Sequence, residues 1–348
     1  MERCEMSELT PRQQTILGLV IREYVTSTHP ISSKTLLEQY DLGISSATVR
    51  NEMGLLEELG YLAHPHTSAG RLPTDKGYRY FVERLLGDVT LPATEQRMIA
   101  HQFHQARLDL GQWMRLAATT LKRASRNASL VTAPQAEQSC FKHVELISTQ
   151  GKLVLLVLVL QGGNVQQQML TLAEPLTQPE LSQSADLINQ VCSGLMSTEI
   201  RARVPGLPSF EAEIGGLVVA MMERCDSHVT GEVYRDGLTE MLSQPEFTDS
   251  ESSQGVLRLL EERSFLDSFL AETLSPQVGG VQVIIGGEGR WEELSNCSMV
   301  LARYGVPGFA TGALGVLGPR RMPYGRAISA VRFVAELMSD LVYDMYAE

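Results

Sequence analysis

The chain has 348 residues, of which 43% are hydrophobic and 20% are charged, and its formal net charge is −12. This composition excludes a disordered chain and predicts a globular protein of two or three domains. No stretch approaches the roughly 20 apolar residues that span a bilayer, and the first residues lack the apolar core of a secretory signal, so we expect a cytoplasmic protein with no membrane partner. Five cysteines without CxxC spacing favour free thiols over disulfides or zinc.

The negative charge is unevenly distributed along the chain. Residues 1–90 carry 9 basic and 12 acidic side chains, whereas residues 91–130 carry 6 basic and 2 acidic ones. Most of the acidity therefore lies after residue 130. Because the first ninety residues are not basic, any binding to nucleic acid has to depend on a few well-placed cations and on dimerisation.

Three helices are predicted at the N-terminus. Thr10-Pro11-Arg12-Gln13 has the form of a capping box that starts the first helix. Ser32 and Ser45 are placed to cap the second and third helices, and a glycine-containing turn at 41–43 separates these two. Two short helices joined in this way predict a helix-turn-helix.

Projection of the third helix at 100° per residue separates an apolar face from a polar one. The apolar side collects five residues: Val49, Met53, Leu55, Leu56 and Leu59. The opposite side carries Arg50 and Asn51 beside the small residues Ala47 and Gly54. Arginine can bind guanine, and asparagine adenine, through two hydrogen bonds in the major groove, so this face predicts base contacts. For an isolated helix, a solvated polar face would be the alternative.

A hairpin and a fourth helix are predicted next. Residues 61–63 form one strand, 67–70 the turn and 71–72 the return, and Thr74 is placed to cap the helix that follows. Helix, helix, helix, hairpin, helix is the winged-helix order, so we expect residues 1–90 to be a winged helix-turn-helix DNA-binding domain. His64 and His66 have no third ligand nearby, so we expect no metal site. The predicted DNA-binding residues are Ser45, Ser46, Ala47, Thr48, Arg50 and Asn51 on the helix, with His66 and Arg71 on the wing.

Three motifs carry a resemblance to a known family. They are Ser46–Met53 (SATVRNEM), Ser68–Arg79 (SAGRLPTDKGYR) and Gly315–Tyr324 (GVLGPRRMPY). In sequence and in order they resemble the HrcA family of heat-inducible transcription repressors, and the resemblance extends over the whole chain.

The remaining two thirds alternate between strand-forming and helix-forming sequence. After a predicted connector helix over 94–126, strands are predicted between 143 and 172 and again between 281 and 317, with a mostly helical stretch over 181–278 between them. A β domain with a helical insertion explains this order. The resemblance implies a GAF-like α/β domain, residues 91–180 and 279–348, interrupted by an inserted dimerisation domain, residues 181–278. The expected fold class is therefore α+β and multidomain.

No motif predicts an enzyme or a cofactor. The glycine clusters at 286–289 and 315–318 complete neither GxGxxG nor a P-loop, and HExxH and GxSxG are both absent from the sequence. No convergent polar cluster marks a ligand pocket either. A GAF-like domain with a structural role is therefore favoured over one that binds an effector.

A homodimer on double-stranded DNA is predicted, because one helix contacts few base pairs and an inverted repeat pairs two half-sites with a two-fold protein. The resemblance implies repression of heat-shock chaperone operons at an inverted-repeat operator, termed CIRCE. It also implies a repressor kept active by the GroEL chaperonin and relieved on heat shock. Two alternatives remain open: a metabolite-gated winged-helix regulator that uses the GAF-like pocket, and an interaction module whose winged helix binds protein.

Overall fold

The computed structural model describes residues 9–65, 70–106, 109–136, 139–161, 165–227, 232–247, 250–275, 277–286, 291, 294–307 and 309–346. Its helices are α1 Pro11–Ser27, α2 Ser33–Gln39, α3 Ser46–Glu58, α4 Asp75–Tyr80, α5 Ala93–Gln105, α6 Leu110–Ser125, α7 Gln178–Cys192, α8 Ser197–Arg203, α9 Ser209–Ser227, α10 Leu238–Leu242, α11 Ser250–Glu261, α12 Arg263–Thr273 and α13 Tyr324–Tyr346. Its strands are β1 Leu62–Ala63, β2 Leu72–Pro73, β3 Ala128–Thr132, β4 Gln135–Ala136, β5 Phe141–Gln150, β6 Leu153–Leu160, β7 Val165–Thr171, β8 Val233–Asp236, β9 Val281–Ile285, β10 Cys297–Val306 and β11 Ala310–Pro319. The expected α+β class is confirmed.

The chain divides into two compact units. The larger unit holds residues 1–133, 232–305 and 312–348, and the smaller unit holds residues 134–231 and 306–311. None of the described helices combines the length and the apolar character needed to cross a membrane.

The N-terminal segment of the larger unit follows the predicted order of elements. Helices α1, α2 and α3 precede the antiparallel pair β1 and β2, and α4 follows and continues into a π-helical turn at Phe81–Leu85. The Thr10 hydroxyl accepts a hydrogen bond from the Gln13 amide at 3.3 Å, and the Gln13 side chain accepts one from the Thr10 amide at 3.0 Å. The predicted capping box is therefore present at the start of α1.

A sheet with helices on both sides forms the rest of the larger unit. Its strand order is β8-β3-β11-β10-β9. Strand β4 belongs to the smaller unit and pairs there with Ala310 and Thr311, the first residues of β11. On one side, α11 and α12 bury apolar side chains such as Leu266 and Phe269 against Met299 and Leu301 of β10. Helix α6 packs against β3 and β8 and also against α13.

The smaller unit is a three-stranded antiparallel sheet, β5-β6-β7, covered on one side by helices. Residues of alternate positions point to the covered side, where Val144, Leu156 and Leu158 pack with Leu181 of α7 and Val218 of α9. The expectation that β6 is a central strand is confirmed.

The division into units differs from the predicted boundaries in two places. The sequence placed β5 to β7 in one GAF-like domain with β9 to β11; among the described strands, β5 to β7 pair only with one another. Helices α11 and α12 were expected in the insertion of 181–278, but they pack on the large sheet. The physical reason is that the two short connections after β5 and β6 favour local antiparallel pairing, and α7 and α9 cover the apolar face that results.

Candidate nucleic-acid interface

The first two turns of helix α3 have an exposed face that carries mostly short side chains. Ser45 caps the helix, because its hydroxyl accepts a hydrogen bond from the Thr48 amide at 3.2 Å. Ser45, Ser46, Ala47, Arg50 and Asn51 are all exposed. Thr48 is half-buried, and its hydroxyl lies 3.0 Å from the Ser45 hydroxyl. Thr48 therefore supports the cap and lies beside the exposed face.

The opposite face of α3 fixes the orientation of the helix. Val49, Met53 and Leu56 are fully buried, as the periodicity predicts. Leu55 and Leu59 were predicted on the same side, but their side chains are 45% and 38% exposed. That part of the prediction is wrong, because the buried face of α3 contains only Val49, Met53 and Leu56, and the side of the helix that carries Leu55 faces solvent.

The side chains of Arg50 and Asn51 form neither a hydrogen bond nor an ion pair with any other described residue. Neighbouring charges on the same helix are engaged: Glu52 pairs with Arg12 at 3.6 Å, and Glu57 pairs with Arg71 at 2.8 Å. A guanidinium and a carboxamide in the second turn of α3 thus remain available for an external acceptor or donor.

Arg71 lies against α3 instead of projecting from the hairpin. Its backbone exchanges two hydrogen bonds with Ile31, of 2.8 and 3.0 Å, and a Cβ on the preceding residue, Gly70, would lie 2.3 Å from the Ile31 carbonyl. The Arg71 Nε atom lies 2.8 Å from Glu57 Oε2, and the Arg71 side chain is 18% exposed. His66, the other predicted wing residue, lies outside the described residues.

Sequence reasoning missed two contacts that hold this face together. One is the pair between Glu57 and Arg71, which are 14 positions apart and meet only because β2 returns beside α3. The other is the hydrogen bond of 2.8 Å from Lys76 Nζ to the carbonyl of Leu59, just beyond the end of α3. The charge of Lys76 at the C-terminal end of α3 is favourable for the dipole of that helix. Lys76 and Leu59 are 17 positions apart in the sequence, so no helical or strand periodicity could have predicted their contact.

Within the described part of the chain, no group of three or more His, Cys, Asp or Glu side chains is arranged to hold a metal ion.

Comparison with known families identifies the chain. The family profile described as the HrcA protein C-terminal domain matches residues 111–328, more than half of the chain. A solved structure described only as a hypothetical protein is similar in fold, with a TM-score of 0.63 and 24% identity, and the match covers 97% of this chain and 99% of that one.

Three relatives named "Heat-inducible transcription repressor HrcA" match almost from end to end. The relative from Roseiflexus castenholzii is 46% identical and that from Herpetosiphon aurantiacus is 47% identical, each over 98% of this chain and over 96% and 97% of their own lengths. The relative from Dehalococcoides mccartyi is 39% identical over 98% of both chains. The family consists of regulators by name, which confirms the expectation that the chain is not an enzyme. The chain belongs to the HrcA family of heat-inducible transcription repressors.

Proposed function

We propose that this chain represses heat-shock chaperone genes by binding, as a homodimer, to an inverted repeat in double-stranded DNA. The observation that carries this proposal is the exposed start of α3, where Arg50 and Asn51 stand on a helix whose other face is buried. Such a helix has a polar face that is exposed to an incoming major groove. The names of the relatives supply the regulated process, repression of heat-inducible transcription.

The N-terminal segment acts as a winged helix-turn-helix in this proposal. Arg50 contacts guanine and Asn51 contacts adenine, and the small or short side chains of Ser46 and Ala47 allow the backbone to approach the base edges. Ser45 and Thr48 hold the first turn of the helix beside the phosphates, where amide groups face outward. The order of the elements, helix, helix, helix, hairpin, helix, supports this assignment.

Arg71 and His66 are assigned to the sugar-phosphate backbone. Because Arg71 is paired with Glu57, its charge is partly neutralised and its position is fixed beside α3. We expect it to contribute to affinity for any sequence, and not to base preference. Overall affinity then depends on few cations, in keeping with the acidic balance of residues 1–90.

The resemblance implies a dimerisation domain over 181–278; here dimerisation is assigned instead to strands β5 to β7, on the side of their sheet that the helices of the smaller unit do not cover, here called the outer face. The registers place Ile147, Leu155 and Met169 side by side, and Val159 beside Val165. Ile147, Val165 and Met169 are 42%, 49% and 54% exposed. Leu155 and Val159 between them are half-buried, and a row of accessible apolar side chains across three strands is typical of a protein interface. The occupant we propose is the same face of a second copy, because a two-fold repeat in DNA requires a two-fold protein.

Regulation by the GroEL chaperonin is included in the proposal on the family resemblance alone. On that basis the chaperonin keeps the repressor active, and heat relieves repression when unfolded proteins occupy the chaperonin. The protein then acts in the cytoplasm, where bacterial DNA lies.

The test has two steps: the full chain selects its preferred DNA sequence from a random pool, and its affinity for that sequence is then measured at physiological salt. A pool of duplexes with a randomised segment is enriched on the full chain, and the enriched sequence is measured by gel shift. We expect an inverted repeat, bound with two protein chains per duplex. Enrichment of no sequence above the starting pool would refute the DNA-binding function and favour a module that binds protein.

A control variant makes the assignment specific to α3. Arg50→Ala removes one exposed charge at the proposed groove contact. Arg201→Ala removes one charge from the smaller unit, where it pairs with Glu223. Loss of binding with Arg50→Ala and unchanged binding with Arg201→Ala would support the interface, whereas equal losses would contradict it.

A further inference from the structure

Two motifs of this chain, separated by some 240 residues, meet in the structure. One is α4 with Asp75, Tyr78 and Arg79, and the other is Arg320, directly after β11, together with Tyr324, the first residue of α13. We call this contact the α4 joint. It lies within the larger unit, between the N-terminal segment and the large sheet.

An ion pair forms the polar part of the α4 joint. Arg320 Nη1 lies 3.4 Å from Asp75 Oδ1. The same guanidinium donates from Nε to the carbonyl of Ser295 at 2.6 Å, which fixes the arginine on the sheet side. Gly286 leaves room for the carboxylate, because a Cβ at this position would lie 2.5 Å from Asp75 Oδ2.

An aromatic contact and a second arginine complete the joint. The rings of Tyr78 and Tyr324 are 5.7 Å apart, and both side chains are buried. The Tyr324 hydroxyl is anchored by Ser298 Oγ at 2.8 Å. Arg79 donates from Nη2 to the carbonyl of Val283 in β9 at 2.8 Å. Removal of the ion pair alone therefore leaves the apolar part of the joint in place.

Helix α4 is in turn fastened to the end of α3. The Thr74 hydroxyl donates to the carbonyl of Gly60 at 2.7 Å, and Lys76 Nζ donates to the carbonyl of Leu59 at 2.8 Å. The rings of Tyr61 and Tyr80 lie 5.3 Å apart in an edge-on arrangement. An orientation imposed on α4 is thus passed to α3, which carries Arg50 and Asn51.

We infer that Arg320 is a positioning residue for DNA binding, acting through Asp75 to fix the orientation of α3 relative to the large sheet. This role rests on the DNA-binding function proposed above. In a dimer, the orientation of α3 in each copy sets the distance and the angle between the two α3 helices that contact DNA. The α4 joint therefore determines which spacing of half-sites the protein prefers, without any contact between Arg320 and DNA.

The experiment measures spacing preference with the full chain. The enriched inverted repeat is prepared with zero to several base pairs inserted between or removed from its half-sites, together with a duplex that holds one half-site. For the wild-type chain we expect one preferred spacing. For Arg320→Ala and Asp75→Asn we expect the ratio of affinities between the preferred and neighbouring spacings to fall about fivefold. This factor corresponds to the free energy that a partly exposed ion pair contributes. Affinity for the single half-site should stay unchanged, and Arg320→Lys should restore part of the preference.

Two controls separate orientation from general stability. Arg321→Ala removes an adjacent charge that forms an ion pair with Glu246 and a hydrogen bond with Gln244, and no ion pair with the described residues of α4. Tyr78→Phe removes a buried hydroxyl at the joint that has no hydrogen-bond partner among the described residues. Both variants should keep the wild-type spacing profile.

Several outcomes would overturn this role. If Arg320→Ala and Asp75→Asn keep the wild-type profile, the ion pair does not orient α3. If both lose half-site affinity by the same factor as operator affinity, the joint contributes only to folding. Asp75→Asn remains informative if Arg320→Ala fails to fold, because it leaves the bond from Arg320 to Ser295 in place. A wild-type chain that binds no inverted repeat would instead refute the proposed function, and the α4 joint would then have no DNA to orient.

Discussion

Two arginines near α3 differ in their surroundings, and this difference assigns them different roles. Arg50 is exposed and has no side-chain partner among the described residues, whereas Arg71 is mostly buried and paired with Glu57. A free guanidinium at the start of a helix can adapt to one base edge. A guanidinium held by a carboxylate presents its remaining donors in one direction only, which suits the regularly spaced phosphates.

Arg50→Ala should therefore change specificity, and Arg71→Ala should not. We expect Arg50→Ala to cost about 1–3 kcal/mol on the enriched operator and to relax the preference at one base pair, because one pair of base hydrogen bonds is lost. Arg71→Ala should weaken binding to all duplexes by a similar factor. Affinities are measured for each variant on a set of operators with single base-pair changes. Equal and sequence-independent losses for both arginines would contradict this division.

Cys297 illustrates how burial can outweigh a nearby positive charge, since burial raises the pKa of its thiol while Arg320 lowers it. Its side chain is buried at the start of β10, and burial raises the pKa of its thiol to about 12. Because the pKa of the thiol is raised to about 12, the thiol stays protonated at pH 8 and little of the reactive thiolate is present. The thiol is therefore a structural group in the folded protein.

The expected result is very slow alkylation of Cys297 by iodoacetamide at pH 8, followed by mass spectrometry of the peptides. Cys140, which is only half-buried, is the internal control and should react first. In urea both thiols should react at similar rates. Modification of Cys297 as fast as Cys140 in the folded protein would show that this end of β10 opens readily.

At the scale of elements, the hairpin is joined to α4 by a very close approach of the backbone. A Cβ at Gly77 would lie 2.2 Å from the carbonyl oxygen of Tyr61, and this carbonyl already accepts a hydrogen bond from the Thr74 amide at 3.1 Å. Only a residue without a side chain fits between α4 and the start of β1. The glycine of the motif is therefore required by packing, since its φ angle is not in the left-handed region.

Gly77→Ala should lower the free energy of unfolding by about 1–3 kcal/mol, because the backbone of one element must shift. Gly54→Ala is the matched control. A Cβ at Gly54 meets only the Arg71 side chain, at 3.7 Å, so this helical position should be unaffected or stabilised by up to about 1 kcal/mol. Both values are obtained from urea unfolding followed by circular dichroism. A Gly77→Ala variant as stable as the wild type would mean that α4 is free to move away from Tyr61.

The same elements show what the sequence alone can predict. The starts of α1, α2 and α3 are encoded within four residues, by Thr10, Ser32 and Ser45, and all three side chains accept the expected hydrogen bonds. The position of Arg71 could not be predicted in this way. Its contact with Glu57 depends on the register of β2 beside Ile31, which is a tertiary property without a periodic signal.

At the scale of the whole molecule, the candidate helix was predictable and the limits of the compact units were not. The apolar stripe of α3 lies within one helix, so its spacing can be recognised in the sequence without knowledge of the tertiary structure. Helices α11 and α12 are amphipathic as well, but periodicity does not say which sheet their apolar faces cover. Leu266 and Phe269 pack on β10, which follows them by about thirty residues, so the boundary predicted at 278 does not coincide with the observed one near 231.

If the outer face of the smaller unit forms the dimer contact, one substitution on this face should change the oligomeric state. Met169 lies in the apolar row with Ile147 and Leu155, and it is 54% exposed. A lysine at this position would bring an unpaired charge into the proposed interface, at a cost of about 3 kcal/mol or more. That cost corresponds to at least a hundredfold weaker association.

Met169→Lys should therefore convert the dimer into a monomer at micromolar concentration, as measured by sedimentation equilibrium of the full chain. Met98→Lys, which alters an equally exposed methionine on α5, is the control and should remain dimeric. The monomeric variant should also bind a single half-site normally and lose its advantage on the inverted repeat, because the second half-site no longer adds to affinity. A folded Met169→Lys chain that still sediments as a dimer would place the two-fold contact on another surface, and a wild-type chain that stays monomeric even on operator DNA would remove the dimer altogether.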